Sequence, residues 1–384
     1  VTLSRPDSLE GFRLAVFSET YPPQVNGVAR TLQRLVGAVE ARGGEARVFT
    51  AADPSAPADA NVTRFPSRAF WAYPQLRLAW PSANATQAAL AAFQPTLVHV
   101  ATEFGMGLAG RAAARALGVP VVSSYHTNFT AYAQHYRLGL LAKPGWSYLR
   151  WFHAAAQQTF CPTRAVADEL SAQGFRNATV WSRGVDGTRF SPSFRSPRWR
   201  ARVNAEEDTL VVTYVGRLAA EKGLDVALAA VRMAGERRPS RIRLLLVGDG
   251  PGEDALRAMA PEGTHFAGRL EGQALSEAYA SCDVFIFPST TDTFGNVMLE
   301  AMASGLPVLG ADVGPTREVL ARGGGWVFPA SRPEAFAEQL VTLIDDRDQL
   351  CAAREAAHAA AAHYRWDAVW DRLFDDYQAI VGRE

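Results

Sequence analysis

Residues 283–308 read DVFIFPSTTDTFGNVMLEAMASGLPV. The apolar run from Asp283 to Phe287 has strand length and is closed by Pro288-Ser289. A polar turn follows, then a stretch carrying Val297, Met298 and Met302 at helical spacing, then a second apolar run opening at Leu306-Pro307-Val308. Strand, helix and strand in that order form a βαβ unit, and such units bind ligands at the carboxyl ends of their strands. Asp292 and Glu300 stand on either side of the loop-to-helix junction. Within one helix, eight positions would set them about 80° apart around the axis. With Asp292 in the loop and Glu300 in the helix, they can instead grip two parts of one elongated ligand. Phe294-Gly295-Asn296-Val297 opens the helix, so its unbonded backbone N–H groups turn toward the same place.

A second stretch, Val215-Gly216-Arg217-Leu218-Ala219-Ala220-Glu221-Lys222-Gly223, follows the apolar run Thr209–Val215 and precedes a helix at Gly223-Leu224. Of 39 basic residues only two are lysines, Lys143 and Lys222. Where arginine is the default cation, a lysine just past a strand end suggests that a compact point charge is wanted. Arg217 and Lys222 could neutralise a diphosphate, or this loop could be solvated with an ion pair to Glu221.

The same strand and helix alternation runs through most of the 384 residues. Strand patterns fall at Phe12–Phe17, Glu45–Thr50, Thr96–Val100 and Val119–Ser123, separated by helix patterns at Val28–Ala41, Ala83–Phe93 and Gly107–Leu117. Short apolar strands between longer helices imply parallel sheets. At this length two domains are expected, 1–190 and 209–364. The proline- and arginine-rich SPSFRSPRWRARVNAEED, residues 191–208, is read as the linker. The tail from Pro333 is helical in pattern throughout.

A composition 48% hydrophobic and 20% charged is that of a globular protein. No apolar run approaches the ~20 residues that span a bilayer. VTLSRPDSLEG leads straight into a strand pattern, so no signal peptide and a cytoplasmic location are expected. Cys161, Cys282 and Cys351 are scattered, without metal-ligand spacing. The net charge of zero hides an asymmetry: residues 1–190 carry 18 basic against 11 acidic side chains, and residues 191–384 carry 21 against 28. The first half therefore faces something anionic, or the two halves attract each other.

Other motifs divide by context. Gly27, after Tyr21-Pro22-Pro23-Gln24-Val25-Asn26, lies where a helix N-terminus could meet a phosphate. His126 lies just past a strand end, where parallel sheets place active groups. Val247-Gly248-Asp249-Gly250-Pro251-Gly252 fails the dinucleotide spacing because Glu253 stands where the third glycine belongs; Pro251 is read as the first helical residue. Asp346-Arg347-Asp348 matches a metal-binding D-x-D but sits in the helical tail, so no metal is expected. Residues 64–80, RFPSRAFWAYPQLRLAW, interleave Arg64, Arg68 and Arg77 with Phe65, Phe70, Trp71, Tyr73 and Trp80. That pattern suits a lipid headgroup interface or core aromatics beneath exposed arginines. No nucleic-acid motif accompanies it.

GRLAAEKG (216–223) followed by PSTTDTFGNVMLEAMASGLPV (288–308), with ETYPPQVNGVART (19–31) and SYHTNFTAY (124–132), resembles the retaining, nucleotide-sugar-dependent glycosyltransferases of family 4. The similarity is to the branch with bacterial glycolipid mannosyltransferases and sulfoquinovosyltransferases. It covers nearly the whole chain, with one departure: Asp292 stands where the family usually has Glu. The resemblance implies a GT-B fold, two Rossmann-like doubly wound domains facing across a cleft, with helix 365–384 returning to the N-terminal domain on a stripe of Trp366, Trp370, Leu373, Phe374 and Tyr377. It implies a nucleoside-diphosphate sugar donor, GDP-mannose before UDP-glucose or another UDP-sugar, and a hydroxyl acceptor on a lipid or small molecule. Glu300 would take the ribose. Asp292 would take the donor sugar, aided by the N–H groups of Phe294, Gly295, Asn296 and Val297. The base would lie against Arg269-Leu270, and Arg217, Lys222 and the Gly27 loop would meet the diphosphate. His126 would lie near the anomeric carbon. The reaction would need no cofactor or metal. The alternatives are a phosphorylase using pyridoxal phosphate, a nucleotide-sugar epimerase of the same fold, and a non-catalytic nucleotide-sugar-binding protein. Peripheral membrane contact is expected for a lipid acceptor, and the sequence leaves the oligomeric state open.

Overall fold

The computed structural model describes residues 8–24, 26–70, 73–126 and 142–382. Most of SYHTNFTAY and Trp71 therefore lie outside the described residues. The chain forms two compact units, one from the N-terminus to Ser182 together with the chain from Asp367 onward, the other Arg183–Trp366.

In the first unit the strands are β1 (Arg13–Ser18), β2 (Glu45–Ala51), β3 (Val62–Phe65), the hairpin β4 (Ser67–Phe70) and β5 (Tyr73–Ala79), β6 (Leu97–Val100), β7 (Val121–Ser124), β8 (Gln158–Cys161) and β9 (Ala178–Val180). Seven form a sheet in the order β3-β2-β1-β6-β7-β8-β9, and every pairing in it is parallel. The antiparallel hairpin β4–β5 stands apart, and alternation of apolar runs did not mark it. Buried β-branched and aromatic residues such as Val16, Phe17, Phe49, Val98 and Val122 explain why these runs become central strands.

The second unit holds β10 (Leu210–Val215), β11 (Ile242–Val247), β12 (Thr264–Phe266), β13 (Val284–Phe287), β14 (Val308–Ala311) and β15 (Gly325–Phe328). Their order, β12-β11-β10-β13-β14-β15, is again parallel throughout. Apart from the hairpin, both sheets follow the Rossmann order, in which strands added on either side of the first create a switch point beside it. The switch points lie between β1 and β6 and between β10 and β13.

Residues 191–208 are not a free linker. Pro192–Phe194 is a short 3₁₀ turn and Pro197–Arg202 a helix. Trp199 and Val203 are buried in the second unit's core. Arg195, Arg200 and, from the helix Arg347–Ala361, Arg354 converge on Asp283 at 2.9–3.2 Å. A buried carboxylate needs such partners, and two of the arginines come from the stretch read as a linker.

The last helix, Trp366–Val381, docks on the first unit as expected. Trp370, Leu373, Phe374, Tyr377 and Ile380 are buried. Tyr377 shares a 2.5 Å hydrogen bond with His99 Nδ1 inside the β6 region, and Arg42 reaches Asp371 at 2.9 Å. Trp366 leaves the predicted stripe and packs over Gly184 of the second unit.

Candidate active site

The loop after β10 and the loop after β13 meet at the second unit's switch point. Lys222 Nζ donates to both carboxylate oxygens of Asp292, at 2.9 and 2.8 Å. The lysine side chain keeps 12% of its exposure and the aspartate 28%, so the pair is shielded but reachable. Ser289 Oγ donates to Asp292 Oδ2 at 2.6 Å, fixing the carboxylate from its own loop. Thr291 Oγ1 donates to the Glu221 carbonyl at 3.4 Å and ties the two loops again. The turn that carries Lys222 is a 3₁₀ segment, Ala220–Lys222, ended by Gly223 at φ +65°. A Cβ there would sit 3.0 Å from the Pro288 carbonyl oxygen, so glycine meets both the backbone shape and the close approach.

Arg217 stands at the head of the same loop, its side chain about a third exposed, with Nη1 4.0 Å from Glu221. The two sequence readings of this loop are therefore compatible. Glu221 is buried beneath it while Arg217 and Lys222 remain at the strand end.

The helix Asn296–Ala303 starts behind Gly295, whose φ is +80°. A Cβ on Gly295 would fall 2.8 Å from Met298 Cε and 3.0 Å from Phe287 Cζ. Phe294 is buried, which pins the loop and leaves the amides of Asn296 and Val297 in the first helical turn without intrahelical partners. Val297 is half-buried against the core.

Beside these loops, Leu218 N donates to Asp249 O and Gly252 N to Leu218 O, both at 2.8 Å. Gly248 N in turn donates to Gly268 O at 2.8 Å. The glycine-rich loop thus bridges the 216–222 loop and the segment of Arg269 and Leu270, the latter packed on the core. Arg269 pairs with Glu271 at 2.7 Å on the surface. The helix after this loop begins at Glu253 with Gly252 as its cap, so Pro251 lies before it and not at its first position.

Comparison with known proteins decides the family. Residues 25–189 match Glycosyltransferase Family 4, and residues 195–361 match Glycosyl transferases group 1. The GDP-mannose-dependent alpha-mannosyltransferase of Mycobacterium tuberculosis is 34% identical over 97% of this chain and 98% of its own length. The sulfoquinovosyl transferase of Arabidopsis thaliana is 32% identical over 98% of this chain and 76% of its own. The chain belongs to glycosyltransferase family 4. Its fold is similar to that of sucrose-phosphate synthase from Thermosynechococcus elongatus, with a TM-score of 0.80 at 19% identity over 97% and 100% of the two chains. The fold is GT-B, with two Rossmann-like units.

In this glycosyltransferase Glu300 is half-buried on the helix Asn296–Ala303, and the buried Tyr279 hydroxyl donates to its Oε2 at 3.1 Å. Sequence reading missed Tyr279, because nothing in AYASCDVF marks one tyrosine as a partner for a carboxylate 21 positions on. Ser289 was missed too, although it lies inside the PSTTD motif. Lys222, Arg217, Asp292, Phe294 and Gly295 stand on the two loops of one switch point, Asn296, Val297 and Glu300 on the helix that follows the second loop, and Arg269 and Leu270 are reached through the glycine loop.

Gly27 and His126 belong to the first unit. Gly27 opens the helix Gly27–Glu40, with Asn26 capping it by accepting from Ala29 N at 2.8 Å. His126 lies two residues past β7, its ring edge-on to Trp181 with centroids 5.8 Å apart. Asp346 caps the helix Arg347–Ala361 by accepting from Gln349 N at 2.8 Å, a role that accounts for the first aspartate of the D-x-D.

Proposed function

We propose that this glycosyltransferase moves a hexose from a nucleoside-diphosphate sugar to a hydroxyl of a membrane lipid or glycolipid, with retention at the anomeric carbon and without a metal. GDP-mannose is the first donor to test, since the relative from M. tuberculosis is named for it. UDP-glucose comes next. The observation that carries the reading is the Lys222–Asp292 pair at the second unit's switch point, flanked by Arg217 and the first turn of the helix Asn296–Ala303.

In this reading Lys222 and Arg217 stabilise charge on the leaving diphosphate as the anomeric C–O bond breaks. Asp292 takes hydroxyls of the donor sugar while holding Lys222, so the sugar and the phosphate counter-charge share one anchor. Glu300, oriented by Tyr279, takes the ribose, and the segment at Arg269-Leu270 lies against the base. The acceptor oxygen bonds to the anomeric carbon on the face that the phosphate leaves, and the acceptor proton passes to a phosphate oxygen. The family resemblance gives His126 the support of the positive anomeric centre and the Gly27 turn a contact to the diphosphate.

A thermal-shift screen of nucleoside diphosphates tests the donor, since a ligand that binds only the folded state raises apparent stability. GDP is expected to give the largest shift. Transfer from the matching sugar nucleotide to a lipid extract, with the anomeric configuration read by NMR, tests the rest. A product of inverted configuration would overturn retention, and transfer confined to soluble alcohols would move the acceptor away from lipids. Asp292→Ala is expected to lower kcat and Glu300→Ala to raise KM, because one meets the reacting sugar and the other a remote group.

A further inference from the structure

One face of the first unit's sheet mixes polar and aromatic side chains. The register sets His99 on β6 level with Val122 on β7, Ser124 level with Phe160 on β8, and Phe160 level with Thr179 on β9. Partners in register share a face, and side chains alternate along each strand with a period of two. His99, Ser124, Phe160 and Trp181 therefore stand on one side of the sheet. The next position on that side, two residues past Ser124, is His126.

The last helix, Trp366–Val381, covers this face. Tyr377 lies at a steep angle to His99 and Phe160, with ring centroids 5.9 and 5.7 Å away. Trp370 lies 6.2 Å from Trp181. Trp181 is buried and meets His99 at 5.7 Å and His126 at 5.8 Å. Its backbone is held too, since Trp181 N donates to the Cys161 carbonyl at 2.8 Å. A ring packed this closely cannot turn, and the His126 ring beside it is restricted with it. Hydrogen bonds fix the strand end as well. Burial pushes the Tyr377 hydroxyl well above its usual range, so it keeps its proton. That hydroxyl has no second partner among the described residues, so it donates to His99 Nδ1 at 2.5 Å. The His99 proton is then on Nε2, which donates to Ser124 Oγ, also at 2.5 Å. Ser124 is the last residue of β7. The residue after it, Tyr125, is held from the opposite face by Trp146 at 6.5 Å, and its N donates to the Phe160 carbonyl at 2.7 Å.

A polar relay buried beneath a sheet costs desolvation that leucine or phenylalanine in the same places would avoid. What a satisfied relay adds is a single fixed arrangement, and this one ends two residues before His126. We propose that Trp181 and Tyr377 are positioning residues for sugar transfer, which hold the His126 imidazole in place, so that the last helix serves the chemistry as well as the core. The inference deepens the proposed function and rests on the role given there to His126. A group beside a reacting carbon must be placed closely, since a misplacement of ~1 Å costs on the order of 10² in rate.

NMR of the full chain, labelled with ¹³C at histidine Cε1, tests the geometry without any turnover. The His126 signal is assigned by its loss in His126→Ala. Tyr377→Phe, which removes only the hydroxyl bonded to His99, should shift that signal. Trp181→Leu should move it toward that of a freely turning histidine. Ile380→Val, at a buried residue one turn beyond Tyr377, should lower thermal stability and leave the signal in place. An unmoved His126 signal in Tyr377→Phe or in Trp181→Leu would overturn the proposal, whatever the donor and acceptor prove to be. Transfer from GDP-mannose to a membrane-lipid extract tests the consequence. Tyr377→Phe should lower kcat several-fold and Trp181→Leu by about 10²-fold, with donor KM and the thermal shift with GDP nearly unchanged. Trp181→Phe, which keeps a ring, should recover part of the loss. In a His126→Ala background the same substitutions should cost nothing further, whereas a purely structural role would cost as much again. Full added loss in that background would overturn the route through His126. A low kcat in His126→Ala beside wild-type kcat in Trp181→Leu and Tyr377→Phe would overturn positioning and leave the proposed function standing. Wild-type kcat in His126→Ala would overturn the role of His126 itself and the positioning with it.

Discussion

The two units share one strand order and differ in what they place at its switch point. In the second unit the loops after β10 and β13 hold a partly exposed cation and carboxylate, Lys222 and Asp292. In the first unit the corresponding ends of β1 and β6 hold Glu19 and Thr102. Glu19 is fully buried, accepts from Met106 N at 2.5 Å in the first turn of the helix Gly105–Leu117, and is bonded to the Thr102 hydroxyl. Burial, with the nearby Glu103 adding to it, pushes the Glu19 carboxyl up to about 7. The first unit thus fills its helix N-terminus with its own side chain. The second presents a helix start behind Gly295, with Lys222 in the neighbouring loop. Topology provides two equivalent positions, and side-chain chemistry decides which one suits an outside anion.

The strongest way to break that contrast is to remove a cation. Lys222→Ala and Arg217→Ala are each expected to lower kcat by ~10²–10³ with little loss of thermal stability. Initial rates alongside melting curves measure both, and near-wild-type turnover would remove the second switch point from the chemistry.

Glu19→Gln sharpens the other side of the comparison. With its pKa raised from 4.5 to about 7, folded Glu19 keeps a proton that the unfolded chain has already lost between those values. Its contribution to stability is therefore full below about 4.5, falls as pH rises through the window and is flat above about 7. Glutamine stays neutral and can keep both hydrogen bonds. The variant should be more stable than wild type at pH 8, by up to about 3 kcal/mol, and equal to it at acidic pH. Denaturant curves at several pH values give the slope, and parallel curves for the two proteins would show that Glu19 is ionised in the fold.

Tyr279→Phe removes the hydroxyl that holds Glu300. A hydrogen bond to a charged group is worth about 1.5–3 kcal/mol. Since Tyr279 orients Glu300 without being assigned a contact to the donor, only part of that reaches donor binding. A several-fold rise in donor KM with kcat nearly unchanged is expected. A fall in kcat alone would place Glu300 nearer the reacting sugar than the ribose. The smallest expected effect is that of a chelator. If Lys222 and Arg217 do the work of a metal, EDTA should leave the rate unchanged, whereas loss restored by Mg²⁺ or Mn²⁺ would show that these cations do not suffice.

Much of this was legible along the chain, and the reason is local. Strand and helix periods repeat within a few residues, so the runs ending at Val215 and Phe287, the loop lysine, Gly295 and the apolar stripe of the last helix could be read before any contact was known. What the chain order could not carry are meetings between distant loops. Lys222 reaches Asp292 across 70 positions, Tyr279 reaches Glu300 from another helix, and Glu19 closes on Met106 across 87. Residues 191–208 look like a linker by composition, yet Trp199 and the arginines on Asp283 bind them into a core. Arg64 and Arg77 look like surface cations, yet they donate to nearby carbonyls while Trp80 faces water. Sequence determined the elements and the kind of chemistry at their ends; tertiary packing decided which charges are paired, which are buried and which face outward. The physical reason is that pairing and desolvation depend on neighbours in space, and those neighbours are fixed only when the sheet order brings separate loops together.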